Sequence, residues 1–451
     1  MFPDPTDKIS HLKPRPQIIP RSEHIISREA ISENALKVLY RLKNSGYQSF
    51  LVGGSVRDLL LGREPKDFDV ATNAHPEQIR ELFRNCHLIG RRFRPAHVRF
   101  GNDIIEVSTF RTAHHVSDVE GRIVRDNVYG SIDDDVWRRD FTANALYYNI
   151  DDFSVVDYVG GMADIRAGVI RLIGDPELRY REDAVRLLRA VRFAVKLGFR
   201  IHADSERPIA KLAQLLEEIP SARLFEEVLK LFLGGCAEQT FEALRHHGLF
   251  GALFPETEIV LGREESGFPQ TLVIHALRDT DQRLAESRPV TPGFLLAALL
   301  WSPMRAQAAD QVARGLAEPE ALELAADAVI SRQIARTAIP RRFTQMAREI
   351  WEFQPRLLRY MGKRPQRLLA HPRFRAAYDF LLLRNRAGEP LQELCEWWTA
   401  AQKDMPTNVV DAGAADDGGE PPGADADTGE TPARPRRRRR RRSGRRGGKA
   451  K

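Results

Sequence analysis

The stretch from Leu51 to Thr72 reads LVGGSVRDLLLGREPKDFDVAT. Gln48 to Val52 has the apolar run of a short strand, and Gly53-Gly54 breaks it. Ser55 then opens a helix, Val56 to Leu61, that stops at Gly62. Phe68 and Val70 belong to the next strand, so Asp67 and Asp69 project from one face of it while Phe68 turns to the core. Two carboxylates held together repel and raise each other's pKa unless a cation sits between them. Mg²⁺ meets that demand, because it takes few carboxylates and fills its shell with phosphate oxygens. A lone D-x-D favours the bland reading, two solvent-facing aspartates on an edge strand. Here the glycine pair permits an unusual backbone turn, and the free N–H groups at the following helix start suit a triphosphate. Arg57 stands in the first turn of that helix, where a cation is unfavourable unless an anion lies nearby. The glycine turn, Arg57-Asp58 and D-x-D together make a specific pattern.

Working outward, Arg28 to Ser45 has helical spacing, with Ser27 placed as N-cap, Gly46 as C′, and Ala35, Leu36, Leu39 and Leu42 on the apolar face. His75 to Asn85 reads as an amphipathic helix, and Val98 to Phe110 as a hairpin turning at Gly101-Asn102-Asp103. Beyond Pro176 helical periodicity prevails, in Asp183–Leu197, Ser221–Leu233, Phe294–Trp301 and Phe374–Arg386. The fold class expected is α+β: a small mixed β-sheet head followed by an all-helical body, then an acidic linker and an Arg-rich tail, both disordered. The expected divisions are a flexible Pro-rich segment at 1–25, a catalytic head at 26–175, a helical nucleotide-recognition neck at 176–240 and a helical RNA-binding body at 241–402. The linker then takes 403–433 and the tail 434–451.

The chain of 451 residues has 69 Lys plus Arg against 62 Asp plus Glu, a formal +7. That mean conceals a division. Met405 to Ala433 carries seven acids and no Lys or Arg, and Arg434 to Lys451 carries ten Arg and two Lys with no acid. The remainder is nearly neutral. Arg436, Arg437, Arg438, Arg439, Arg440, Arg441 and Arg442 form an unbroken run, extended by self-repulsion. Such a run binds RNA by releasing counterions from phosphates, without reading sequence. An acidic linker folding back on it would compete with RNA. Cys86, Cys236 and Cys395 are too few and scattered for a disulfide framework. The longest apolar run, Phe294 to Trp301, is too short to span a bilayer, and MFPDPTDKIS has no secretory pattern. A cytoplasmic protein with no membrane partner is expected. His114 and His115, adjacent on the chain, read as loop residues and not as a metal pair.

The segments LVGGSVRD, DFDVAT, RRDFTANALYYN (Arg138 to Asn149) and EDAVRLLRAVRFAVKLGF (Glu182 to Phe199) resemble the nucleotidyltransferase superfamily. The resemblance is to the branch of bacterial poly(A) polymerases and CCA-adding enzymes, and it covers residues 28–400. It implies transfer of a nucleoside monophosphate from an NTP to an RNA 3′-hydroxyl with pyrophosphate released. It also implies two Mg²⁺ ions, replaceable by Mn²⁺, one of them held by Asp67 and Asp69. The resemblance further implies that Gly53, Gly54, Ser55 and Arg57 hold the triphosphate and that Arg139 contacts the nucleotide. Asp140 is the candidate third catalytic carboxylate; pairing with Arg138 is the bland alternative, and Glu106 is its rival for that position. Asp183, Arg186 and Arg189 recur every three residues, and a carboxylate beside a guanidinium suits the Watson–Crick edge of adenine. A solvated i, i+3 ion pair explains the same residues without a ligand; the resemblance favours a template for the base. Arg223, Glu226 and Glu227 read as an ion-paired helix supporting this region.

The shared motifs do not separate the two activities. LIGRRFRPAHVRF (Leu88 to Phe100) looks like the stretch that marks the polyadenylating members. The His-Asp dipeptide of the phosphohydrolase domain in some CCA-adding enzymes is missing from the sequence. The expectation is polyadenylation with ATP on an RNA 3′ end. CCA addition is the first alternative, an inactive RNA-binding protein the second, and a small-molecule nucleotidyltransferase the third.

Overall fold

A computed structural model describes residues 15–90, 94–112, 116–117, 123–125, 129–263, 268–361 and 364–403. The His114-His115 pair, the linker beyond 403 and the tail lie outside them. In chain order the head contains β1 (Gln17–Ile19), α1 (Glu33–Asn44), β2 (Ser49–Val52), α2 (Gly54–Leu60), β3 (Asp69–Thr72), α3 (Pro76–Leu82), β4 (Cys86–Leu88), β5 (Ala96–Phe100) and β6 (Asp103–Thr109). It continues with β7 (Val116–Ser117), β8 (Ile123–Arg125), α4 (Ile132–Trp137), β9 (Leu146–Asn149), β10 (Val155–Asp157), α5 (Gly161–Ala167) and β11 (Val169–Ile170). Eight strands make one sheet in the order β1-β10-β9-β2-β3-β6-β5-β4. All its pairs are antiparallel except β3 with β6.

Apolar side chains of both parities explain why this sheet is covered on both faces. Leu51, Val70 and Val107 share a buried cluster with Ala35, Val38 and Leu39 of α1 and Ile79 of α3. Phe50, Val52, Ala71 and Tyr147 join Val136 of α4 in a second cluster. The helix expected from Arg28 divides: Ser27 caps a single 3₁₀ turn, Arg28–Ala30, and Ser32 accepts from the Ala35 N–H to start α1. Gly46, with φ +86°, ends it as expected.

Of the segment 1–25 expected to be flexible, the structure describes residues 15–25, and these are tied to the sheet. Gln17–Ile19 pairs with β10, Ile19 is buried, and His24 Nε2 lies 2.9 Å from the Phe153 carbonyl. Prolines discourage central strands, yet an edge strand tolerates them, and this strand is at the sheet's edge.

Helices α6 (Pro176–Glu182) and α7 (Val185–Leu197) begin the body, which stays helical to Lys403 apart from β12 (Arg200–Ile201), a parallel partner of β11. Phe141 and Leu172 of the head share one buried cluster with Leu187, Phe232, Phe250 and Phe380 of the body, so the apolar core crosses residue 176 without a break. No helix of the described residues is long and apolar enough to cross a membrane.

One carboxylate shapes the loop before α5. Asp157 accepts from the N–H groups of Val159, Gly160, Gly161 and Met162 at 2.9 to 3.0 Å. A Cβ on Gly161 would sit 2.2 Å from the Thr142 carbonyl oxygen, so α5 presses directly on the turn at Thr142–Asn144. Asp157→Ala strands four donors, two of them, on Gly161 and Met162, away from water. It is expected to lower stability by about 2–4 kcal/mol, seen as a reduced urea midpoint at unchanged m-value.

Candidate active site

Strand β3 begins at Asp69, with Asp67 exposed just ahead of it and Phe68 buried between them. Parallel pairing sets Asp69 opposite Glu106 on β6, and Glu106 in turn faces His97 on β5, whose Nε2 lies 3.5 Å from its carboxylate. Register therefore sets Asp69 beside Glu106, and Asp67 lies near enough for its charge to act on Asp69. Burial pushes the Asp69 carboxyl up to about 6; the charges of Glu106 and Asp67 add to this, and Arg139 opposes it. Among the described residues no three His, Cys, Asp or Glu side chains form a ready-made metal cage. The donors still fit a hard ion that completes its shell from a phosphate, because the like-charge pressure on Asp69 is what such an ion relieves.

Gly53 ends β2 with φ +77° and ψ −134°, a conformation that favours glycine. A Cβ there would lie 3.8 Å from Asp69 Oδ2 and 3.9 Å from Arg139 Nη1. The bare backbone thus opens a space between a carboxylate and a guanidinium. Gly54 begins α2, two residues earlier than the expected Val56, and its missing Cβ leaves room for Arg57 Nη2 at 3.5 Å. Ser55 is buried, and its hydroxyl donates to the Val52 carbonyl.

Arg139 is set by residues the sequence reading did not single out. Its Nε and Nη2 donate to Asp135 at 3.2 and 2.8 Å, and Nε also donates to the Tyr147 hydroxyl at 2.7 Å. Tyr147 donates in turn to Asp135, which also receives Arg138 Nε at 2.6 Å. Burial works to raise the Asp135 carboxyl, but Arg139 and Arg138 outweigh it and hold the group below its ordinary value. The spacing of Asp135 to Arg138 and Arg139, i to i+3 and i+4, was the available signal.

Arg57, expected at the triphosphate, is 3% exposed. Its Nε and Nη2 donate to Asp58 and its Nη1 donates to Asn144 at 2.5 Å, with the guanidinium 5.3 Å from the Phe193 ring centre. The adjacent carboxylate offsets the cation that the helix start disfavours. Asp140 neither pairs with Arg138 nor turns toward β3. Its Oδ2 accepts from Arg189 Nε and Nη2 at 2.8 and 2.5 Å, and its Oδ1 accepts from the Phe141 N–H. Burial would raise Asp140, yet Arg189 holds it low.

Asp183 lies between α6 and α7 and not on a helix; its Oδ1 accepts from the Val185 N–H, as aspartates at helix starts commonly do. Its Oδ2 accepts from Arg223 at 2.7 Å, and Glu227 lies 2.9 Å from Lys230, consistent with a supporting ion-paired helix. Arg186 donates to Glu182 Oε2 and to the Arg179 carbonyl, both at 2.7 Å. The expected flank of Asp183, Arg186 and Arg189 is therefore divided among three partners, Arg223, Glu182 and Asp140. Two cavities of about 570 and 630 Å³ are lined by none of Asp67, Asp69 and Glu106.

This combination of fold and site defines a nucleotidyltransferase head joined to a helical body. Residues 49–171 match the family model of the poly(A) polymerase head domain. Residues 198–260 match that of the probable RNA- and SrmB-binding site of polymerase A, and 314–443 that of its arginine-rich C-terminus. The chain is 50% identical over 407 residues, 87% of each chain, to poly(A) polymerase I of Salmonella typhimurium. It is 38% identical to the CCA-adding enzyme of Lactobacillus helveticus over 46% of its own length and 52% of that protein's. The solved structure of the Bacillus stearothermophilus CCA-adding enzyme in complex with CTP matches with TM-score 0.54 and 28% identity, covering 81% of this chain and 80% of that one. The chain belongs to the bacterial poly(A) polymerase I family, whose enzymes use divalent metal ions.

A raised carboxyl pKa fixes the sign of two pH effects. The contribution of Asp69 to the stability of the metal-free protein is present at low pH and lost as pH rises through about 6. Asp69→Asn should therefore stabilise the metal-free protein at pH 8 and not at pH 4, as measured by thermal unfolding. A divalent ion must displace the same proton, so calorimetric affinity for Mn²⁺ should fall as pH drops from 7 to 5.

Proposed function

We propose that the chain adds AMP from ATP to RNA 3′ ends without a template strand, releasing pyrophosphate, and that it does so in the cytoplasm with Mg²⁺. The observation that carries this reading is the Asp69–Glu106 register beside the bare backbone of Gly53, on a chain whose full-length relatives are poly(A) polymerases. Asp67 and Asp69 would hold the metal, with Glu106 as the third carboxylate in preference to Asp140. A divalent ion there supplies a lowered pKa for the attacking hydroxyl and charge neutralisation for the leaving pyrophosphate; Mn²⁺ has the same donor demands.

The chain's own residues do the positioning. Gly53 leaves space for a phosphate against the backbone, and Arg139, steadied by Asp135 and Tyr147, offers its Nη1 to that space. Arg57 acts through Asn144 on the turn that follows Asp140, so it shapes the phosphate site without reaching into it. Arg189, tied to Asp140, sets the neck relative to the head. Asp183 and Arg186 present an acceptor and donors to the adenine edge once a nucleotide displaces part of their present pairing. The divisions at 175 and 240 separate catalysis, base reading and RNA holding.

An NTP-by-NTP primer-extension assay tests this. Long A-only ladders on unstructured RNA are expected, and Asp69→Ala should lower AMP incorporation at least a thousandfold, about 4 kcal/mol of transition-state stabilisation. Products that stop after one to three additions on tRNA, with CTP consumed, would identify CCA addition instead. Unchanged AMP incorporation in Asp69→Ala would refute the catalytic assignment.

The tail from Arg436 to Arg442 is assigned to holding RNA. Deleting residues 434–451 should weaken RNA binding and flatten its salt dependence while sparing AMP transfer at saturating RNA, as read by fluorescence anisotropy and primer extension.

A further inference from the structure

The body is close to neutral, yet from Gln354 to Tyr378 it holds seven Lys or Arg and no Asp or Glu. This stretch runs from the end of the helix Arg341–Leu357, through Arg364–Leu369, into Phe374–Arg386. Three of its cations have partners outside it: Arg356 with Glu352, Arg373 with Glu349, and Arg375 with Asp379. Arg359 and Arg367 are exposed and form no ion pair among the described residues.

Apolar groups are exposed in the same place. Met361 is 79% exposed and Leu358 53%, whereas single exposed aliphatics elsewhere on the chain need no explanation. Tyr360 and Trp397 are half-buried, with ring centres 5.1 Å apart and planes at 49°. Both pack on the small core of Phe353, Leu357, Phe374 and Trp398, as does Leu368 of the helix that carries Arg367. Trp398 donates its indole N–H to the Leu357 carbonyl and stands edge-on to Trp397 at 4.8 Å, so the aromatic pair sits on a fixed base.

Half-buried rings in a stretch rich in cations and without an acid match the two needs of single-stranded nucleic acid: faces for bases to stack on and charge for phosphates. We infer that this far end of the body, centred on Tyr360 and Trp397 with Arg359 and Arg367, is a docking platform for the single-stranded RNA that the enzyme extends. The inference rests on the RNA-extending reading above and adds a second hold on the substrate, distinct from the Arg run of the tail. Base stacking there would be indifferent to sequence, since every base has a face to offer.

The test uses the full chain with its tail and measures binding of a fluorescent oligoadenylate by anisotropy, without ATP. The double variant Arg359→Gln/Arg367→Gln leaves the buried cluster untouched. It should weaken binding about fivefold near 0.1 M salt and reduce the log–log salt slope by about 1.4, the value for two phosphates on a single strand. AMP transfer at saturating RNA should match the unaltered protein. With the unaltered protein, RNA carrying 4-thiouridine should crosslink to Tyr360 or Trp397 on irradiation. An unchanged affinity and salt slope in the double variant would overturn the inference. So would loss of binding to phosphatidylglycerol vesicles with RNA affinity intact, which would make the surface a membrane contact. An unaltered protein that binds RNA through this face but never extends it would overturn the catalytic reading and leave this one standing.

Discussion

The ion pair between Asp140 and Arg189 is the contact on which the arrangement of the site depends. Asp140 belongs to the segment that returns the chain to the sheet as β9, and Arg189 stands on α7, the first long helix beyond the head. Their side chains are 13% and 30% exposed, so the pair is largely shielded, and removing either partner would strand a charge at a cost of about 3 kcal/mol or more. Its neighbours tighten it. Asn144 touches Asp140 with its amide N–H and accepts from Arg57 with its carbonyl, linking the glycine turn to the same junction. The ring of Phe193 meets three guanidinium groups, of Arg57, Arg189 and Arg192, at 5.3, 5.2 and 4.4 Å. A ring face can meet several cations without needing donors of its own, which lets one apolar residue close a junction crowded with arginines.

That junction makes sense of the strain at Asp69. A carboxyl with a pKa near 6 is held where its charge is disfavoured, by burial first and by Glu106 and Asp67 after it. A mobile side chain would swing to solvent and escape. Here β3 lies between β2 and β6, so the ladder holds the backbone on both sides and keeps the carboxylates together. The rigid sheet preserves the repulsion, and the repulsion is what gives a divalent ion its advantage over water.

Much of this was legible in the sequence because it is local. The glycine turn, the hairpin at Gly101 and the helix Phe374–Arg386 each depend on residues close along the chain, and the structure has them as read, whereas of the D-x-D pair only Asp69 is on the strand and Asp67 lies just ahead of it. What escaped was set by partners far away. Whether Asp140 faces Asp69 or α7 depends on Arg189, 49 residues on. Asp183 and Arg186 look like neighbours on a helix, but Arg223 claims the first, 40 residues away, and the helix starts only after it. Glu106 is legible as a rival for the third carboxylate, but the parallel pairing that sets it beside Asp69 is announced by no local pattern. The edge strand at Gln17 hid behind its prolines, since composition reads a Pro-rich segment as loose while pairing needs only one free side of a sheet.

The charge accounting near the site bears on how RNA is held. Arg57 is matched by Asp58, Arg138 and Arg139 by Asp135, Arg189 by Asp140, Arg186 by Glu182 and Arg223 by Asp183. These arginines are occupied in fixing geometry, each held by a carboxylate, and are poorly suited to drawing a polyanion in from solution. Positioning a reacting phosphate needs a few rigid donors, whereas retaining a long RNA needs many loosely placed charges. One set of residues cannot serve both demands, because donors committed to a carboxylate are rigid for the reason that they are neutralised. The sequence resolves this by distance: compensated arginines at the head–neck junction, an acid-free stretch at Gln354–Tyr378, and an uncompensated Arg run at the end of the chain. On the proposed reading neither of the latter two stretches would discriminate among bases, and selection of adenine would fall to Asp183 and Arg186, which would first have to give up part of their present pairing with Arg223 and Glu182.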